Sequence, residues 1–142
     1  MQAMHLRADA LGIADNVVFL GSRPDVNELM QAMDVFVFPS LYEGFGNVAI
    51  EAQAAGLPCL VADTLSRETA ATDRIAYLPI TQGTDAWVEA ILSARAEERA
   101  EAQAQVADAG FDVKREALEY AQIYQDAVAA LPLRRQTERA SL

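Results

Sequence analysis

Cysteine, histidine and positive charge are all scarce in this chain. The single cysteine, Cys59, sits in an apolar run, so no internal disulfide framework exists and a reducing cytoplasm is the expected setting. The single histidine, His5, lies near the start with no second histidine to share a metal or a proton relay, and reads as a surface residue. Eleven Lys and Arg stand against 21 Asp and Glu, a net charge of −10. Binding to nucleic acid calls for a basic face that displaces phosphate counterions, and a polybasic membrane patch calls for clustered cations. Neither is present, so nucleic acid is excluded as a partner. No apolar run approaches the roughly 20 residues of a membrane span, and the opening "MQAMHLRADALGIADN" lacks an apolar signal region. The expected protein is soluble and cytoplasmic.

What is present alternates. At 142 residues, 52% of them hydrophobic, the chain has the length and composition of one domain. "VVFLG" (Val17–Gly21), "DVFVFP", "PCLVAD" and "IAYLPI" are short apolar runs without strict alternation, as expected of strands buried on both faces. Pro79 places the fourth at an edge. Between them, "HLRADALGI", "RPDVNELMQAM" (packing through Val26, Leu29, Met30 and Met33) and "NVAIEAQAA" have helical spacing, and Gly56 followed by Pro58 ends the last of these. After Asp85 the pattern is helical, with Trp87, Val88, Ile91 and Leu92 as its packing face, a break at Gly110, and a final amphipathic helix carrying Tyr120 and Tyr124 as packing residues. The expected fold is α/β: a Rossmann-like parallel sheet with helices on both faces, over residues 1–131, followed by a disordered tail at 132–142. A doubly wound domain has a strand before its first helix. This chain opens in a helix and therefore looks like the later part of a larger sheet.

One stretch carries chemistry: "PSLYEGFGNVAIEAQAAGLP", Pro39 to Pro58. It follows a strand, and open parallel sheets bind ligands beyond the carboxyl ends of their strands. Gly44 and Gly46 let backbone approach a ligand and permit positive φ. Asn47 is expected as N-cap, leaving the amides of Val48, Ala49 and Ile50 to receive an anion such as phosphate. Glu43 and Glu51 would repel that anion, but carboxylates accept paired hydrogen bonds from vicinal hydroxyls, as in ribose or a sugar. An anion site between two polyol-binding acids is the footprint of a nucleotide sugar. Taken alone, the same residues also fit a tight turn followed by a solvated helical glutamate. Ser40 has no nucleophile elbow around it and reads as a strand-end residue near the ligand.

The same stretch resembles the signature of the group 1 glycosyltransferases, glycosyltransferase family 4, which have the GT-B fold. Glu43 and Glu51 match that family's Glu-x7-Glu pair, and "NVVFLGSRPDVNELMQAMDVFVFPS" resembles its preceding strand–helix–strand. "EAQAAGLPCLVADTLSRE" is most similar to members that build capsular or extracellular polysaccharide. The resemblance implies the C-terminal, donor-binding half of a retaining, metal-independent hexosyltransferase that uses a UDP- or GDP-linked sugar as substrate and no cofactor. By that resemblance Glu43 is the catalytic residue at the donor sugar. Gly44, Phe45, Gly46, Asn47 and Val48 hold sugar and diphosphate, Glu51 holds the ribose, and Ser22 and Arg23 lie beside the base. Family members also have an N-terminal acceptor domain and an Arg–Lys pair that neutralises the diphosphate. Neither is matched here, and Arg23, Arg67 and Arg74 do not replace the pair, so the chain alone is expected to be inactive. Full-length members imply a peripheral position at the inner face of the membrane. The isolated chain is expected to form a homodimer through exposed sheet or helix surface. A non-catalytic nucleotide-binding or regulatory domain is the alternative. A nucleotide-sugar epimerase matches the Glu pair with "EGFG" less well, and Asp34 and Asp63 do not make the acidic pocket of a phospho-acceptor domain.

Overall fold

Three of the apolar runs become strands of one parallel sheet, and the intervening segments fold back over its faces. In a computed structural model, which describes residues 2–95 and 99–131, α1 (Gln2–Ala10) and α2 (Val26–Met30) precede β1 (Phe36–Phe38). α3 (Asn47–Ala54) joins β1 to β2 (Cys59–Ala62), and a polar segment with one 3-10 turn (Arg67–Thr69) leads to β3 (Ile75–Leu78). α4 (Thr84–Ser93), α5 (Ala102–Val106) and α6 (Val113–Ala129) follow. The strand order is β1-β2-β3, with Phe36 opposite Cys59 and Cys59 opposite Ile75.

The central strand explains the layers. All four residues of β2 are buried, and their side chains alternate between two clusters, as the two-residue period of a strand requires. Cys59 and Val61 pack with Met30 of α2 and with Ala49, Ala52 and Ala55 on and beside α3, together with Leu57 and Leu65. Leu60 and Ala62 pack with Trp87 of α4, supported by Val35, Val37, Leu78 and Ile91. Helices therefore cover both faces, and alanines along α3 let it lie close on the sheet. The Trp87 indole N–H donates to the Pro79 carbonyl at 3.3 Å, so burying the ring leaves no orphaned donor.

α3 ends where glycine permits. Gly56 has φ +75°, its N–H donates to Gln53 O, and Leu57 N–H donates to Ala52 O. This double closure satisfies the last carbonyls of the helix. A Cβ at Gly56 would also fall 2.7–3.1 Å from Arg99 atoms. The Arg99 backbone and the base of its side chain lie over this glycine, and its guanidinium donates to the carbonyls of Met30, Gln31 and Met33 at the end of α2 and just beyond it. One side chain thus ties together the ends of two helices.

Four expectations need correction or a boundary. Val17–Gly21 is not a strand: it has no ladder partner among the described residues, Val18 and Leu20 are exposed, and Gly21 turns with φ +67°. Apolar composition makes a segment fit for a sheet, but only a neighbouring backbone makes it a strand. In α4, Trp87 is buried and Ile91 partly so, whereas Val88 and Leu92 are exposed, so the packing face is narrower than the spacing implies. Tyr120 and Tyr124 of α6 are exposed rather than packed. The expected tail at 132–142 lies outside the described residues. No helix among the described residues is long and apolar enough to cross a membrane.

Candidate functional site

The loop Pro39–Gly46 leaves the carboxyl end of β1 and delivers the chain to the start of α3. Gly46, not Asn47, caps that helix: it has φ +83° and a left-handed conformation, and Asn47 is the first helical residue. The Ala49 N–H is already taken by the Gly46 carbonyl at 2.9 Å, which narrows the donors expected at the helix start. Gly44 does not share the positive φ, and a Cβ there would meet nothing within 4 Å. At Gly46 a Cβ would fall 2.5 Å from Leu65 Cδ1. Only one of the two glycines is required by conformation and space together.

Three contacts hold the loop from outside. Leu65, buried, closes on Gly46. The Thr64 hydroxyl donates to Ser40 O at 2.8 Å. The ring of Phe45 lies 6.1 Å from that of Phe111, in the segment before α6. Within the loop, Ser40 Oγ donates to Glu43 Oε1 at 3.0 Å, which orients an exposed carboxylate. The loop is thereby anchored to the carboxyl end of β2 and to the C-terminal helical layer.

Behind α3 lies a polar group that the sequence reading passed over. Gln53 is fully buried, and every hydrogen-bonding position of its amide is engaged. Nε2 donates to Ala49 O at 3.0 Å and Thr69 O at 2.8 Å. Oε1 accepts from Ala71 N, Thr72 N and Thr72 Oγ1 at 3.0–3.1 Å. Gln53 therefore fastens the segment 69–72 to α3, and the same connection supplies Thr64 and Leu65 to the loop. Arg67 stacks on Tyr77, 3.8 Å from the ring centroid, and the Tyr77 hydroxyl lies 3.0 Å from Thr69 Oγ1. A glutamine among Ala49, Ala52 and Gly56 on an apolar helical face was the signal available in the sequence.

Glu51 is one turn into α3 and exposed. It borders a hollow of about 250 Å³ lined also by Asn27 of α2, Gln31 just after that helix, Ala54 and Ala55 at the end of α3, and Gln103 of α5. Glu43 and Phe45–Val48 do not line this hollow. Ser22 is exposed. Arg23 is engaged twice by Asp25, Nε to Oδ1 at 2.8 Å and Nη2 to Oδ2 at 2.5 Å. Each charge favours the other: the guanidinium pKa is raised by Asp25 and the carboxyl pKa is lowered by Arg23. This pairing also explains why Asp25, at the N-cap of α2, makes no side-chain capping bond.

Known proteins identify the family and the fold. The family model described as Glycosyl transferases group 1 matches residues 1–97. The putative glycosyltransferase EpsF of Bacillus subtilis is 40% identical over 85 residues, which is 59% of this chain and 22% of that protein. The Vi polysaccharide biosynthesis protein VipC/TviE of Salmonella typhi is 46% identical over 54 residues, 38% of this chain and 9% of that protein. A D-inositol 3-phosphate glycosyltransferase of Mycobacterium marinum is 39% identical over 87 residues, 59% of this chain and 19% of the relative. The chain thus spans about a fifth or less of the length of these relatives. Among solved structures, WaaG, a glycosyltransferase involved in lipopolysaccharide biosynthesis, superposes with a TM-score of 0.60 at 27% identity. That match covers 76% of this chain and 30% of WaaG. The parallel sheet covered on both faces is thus a GT-B glycosyltransferase architecture, and the chain belongs to the group 1 glycosyltransferases.

Proposed function

We propose that this chain forms the donor-binding part of a retaining, metal-independent glycosyltransferase that takes a hexosyl group from a UDP- or GDP-linked sugar. The observation that carries the reading is the Glu43–Glu51 pair on a buttressed loop and helix at the carboxyl end of β1. Glu43, oriented by Ser40, accepts hydroxyls of the donor sugar. The backbone from Gly44 through Val48 lies along the diphosphate, and the positive end of α3 offsets the charge that builds as the bond from anomeric carbon to phosphate oxygen breaks. Glu51, one turn into α3, accepts the two ribose hydroxyls. The electron pair of the broken bond departs with the nucleoside diphosphate, whose freed oxygen takes the proton of the acceptor hydroxyl as the acceptor oxygen bonds to the same face of the sugar.

Two of the named relatives, VipC/TviE and WaaG, act in polysaccharide and lipopolysaccharide biosynthesis, which supports a glycan or lipid-linked acceptor. In this reading the acceptor is bound by a domain outside these residues, and the chain alone binds donor without transferring sugar. Saturation-transfer NMR of the chain with UDP, GDP and ADP and their sugars tests the site. Selective binding by one nucleotide, weakened in Glu51→Ala, is the expected result. Equal signals from wild type and variant would refute the assignment of Glu51, and turnover by the 142-residue chain would refute the division of labour.

A further inference from the structure

Phe111 sits where the chain changes direction between two helices. α5 packs on α3 and buries Ala102 and Val106, and one wide turn, Ala107–Phe111, follows it. Gly110 closes that turn with φ +99°, a left-handed conformation that favours glycine. Asp112 then caps α6, its carboxylate accepting the Lys114 N–H at 2.9 Å. Phe111 is thus held between an anchored helix and a capped one. Its ring lies 6.1 Å from that of Phe45 at a tilt of 42°, within the roughly 4.5–7 Å of attractive aromatic pairs, and both side chains are half-buried.

Phe45 has little else to fix it. It stands between two glycines, and among the described residues neither Phe45 nor Gly44 has a backbone hydrogen bond. A Cβ at Gly44 would meet nothing within 4 Å, so the space around it is open. The ends of the loop have their own restraints: Thr64 bonds Ser40 at one, and Leu65 closes on Gly46 at the other. The middle depends on the ring pair. We propose that Phe111 is a positioning residue for donor binding, its ring holding Phe45 so that the backbone from Gly44 to Gly46 keeps the form that receives the diphosphate. The inference rests on the donor-site reading and adds to it a residue of the C-terminal helical layer, 66 positions away from Phe45, that touches no ligand.

Nuclear magnetic resonance and titration calorimetry on the full chain test it, with UDP, GDP and ADP as probes. Wild type should show a nuclear Overhauser contact between the two rings and backbone order parameters near about 0.85 at Gly44–Gly46. In Phe111→Ala these should fall below about 0.6, with β2 and the interior of α3 unchanged, and the tightest-binding nucleotide should bind about 5-fold more weakly. Phe111→Tyr, which keeps the ring, should restore both. Phe45→Ala should weaken binding to a similar degree, and adding Phe111→Ala to it should weaken binding no further. Should Phe111→Ala unfold, Phe111→Leu keeps most of the apolar bulk without the flat ring and carries the same test. Order lost equally in β2 and α3 would reduce Phe111 to general packing and overturn the proposal. Unchanged order at Gly44–Gly46, or lost order with unchanged nucleotide affinity, would overturn it while leaving the donor site standing. Absence of binding by the folded wild-type chain to all three nucleotides would remove the donor-site reading and this role for Phe111 together.

Discussion

Strand β2 and helix α6 are both apolar in pattern, and they end in opposite environments. Every residue of β2 lies between two layers, with Cys59 and Val61 at 0% exposure. α6 has no buried residue, and Leu118, Ile123 and Tyr124 are 61–74% exposed. Periodicity reports which face of an element is fit for burial. Whether that face is buried depends on neighbours that arrive from elsewhere in the chain. β2 has a strand on each side and a helix on each face. The functional loop belongs to the β2 side of this contrast, because its struts come from the carboxyl end of that strand.

The strongest way to break this contrast is to remove the buried amide that fastens the 69–72 segment to α3. Gln53→Ala would leave the N–H groups of Ala71 and Thr72 and the Thr69 carbonyl without their partner. With buried polar groups orphaned at about 1–3 kcal/mol each, partly relieved by water, a loss of about 4 kcal/mol is expected in urea unfolding. A loss under about 1 kcal/mol would show that the segment is held by other contacts. Gln53→Leu should be no better, since it fills the space and still leaves the donors unpaired.

The two glycines of the loop sharpen the point at smaller energy. Gly46→Ala puts a side chain into a left-handed conformation and 2.5 Å from Leu65 Cδ1, so about 2 kcal/mol of stability should be lost and the start of α3 displaced. Gly44→Ala meets neither obstacle and should unfold as wild type. Equal losses in both variants would mean that loop flexibility, not the contact with Leu65, is what matters. Leu65→Ala, combined with Gly46→Ala, should recover only the steric part.

Much of this was legible in the sequence because it is local. β1, β2 and β3 follow from unbroken apolar runs, and the end of α3 from Gly56 and Pro58. The Glu43–Glu51 spacing was visible without coordinates. What was not legible depends on distant partners. Val17–Leu20 has the composition of a strand and no ladder. Asn47 is a good capping residue by type, yet Gly46, pressed by Leu65, takes the cap. Leu65, Thr64 and Phe111 bear on the loop from 19 to 66 residues away, since Leu65 meets Gly46, Thr64 meets Ser40, and Phe111 meets Phe45. No short pattern around the loop announces them.

Cys59 tests the buried side by pH. Burial pushes its thiol up to about 12, above the ordinary value of 9.0. A raised folded-state value means that the protonated thiol favours folding: this contribution is complete below pH 9 and is lost as pH rises toward 12. Stability should therefore fall by about 1 kcal/mol between pH 9 and pH 10 in wild type relative to Cys59→Ala. At pH 8 a thiol reagent should label the native chain no faster than global unfolding permits. Rapid labelling at that pH would place Cys59 at an accessible site and contradict the two-sided burial of β2.

The smallest effect is expected on α6, and its size decides how the contrast is understood. Leu118→Ser and Tyr124→Ser remove apolar groups that touch little, so each should change stability by less than about 0.5 kcal/mol at low protein concentration. Val61→Ala should cost about 2 kcal/mol under the same conditions. Repeating the measurement at rising concentration, with sedimentation in parallel, adds the decisive comparison. A wild-type chain that stays monomeric and gives the same midpoint throughout leaves α6 a solvated helix whose stripe has no role in folding. A midpoint that rises with concentration in wild type but not in the serine variants would make the stripe a self-association surface. In that case α6 would obey the same rule as β2, its covering layer supplied by a second copy of the chain.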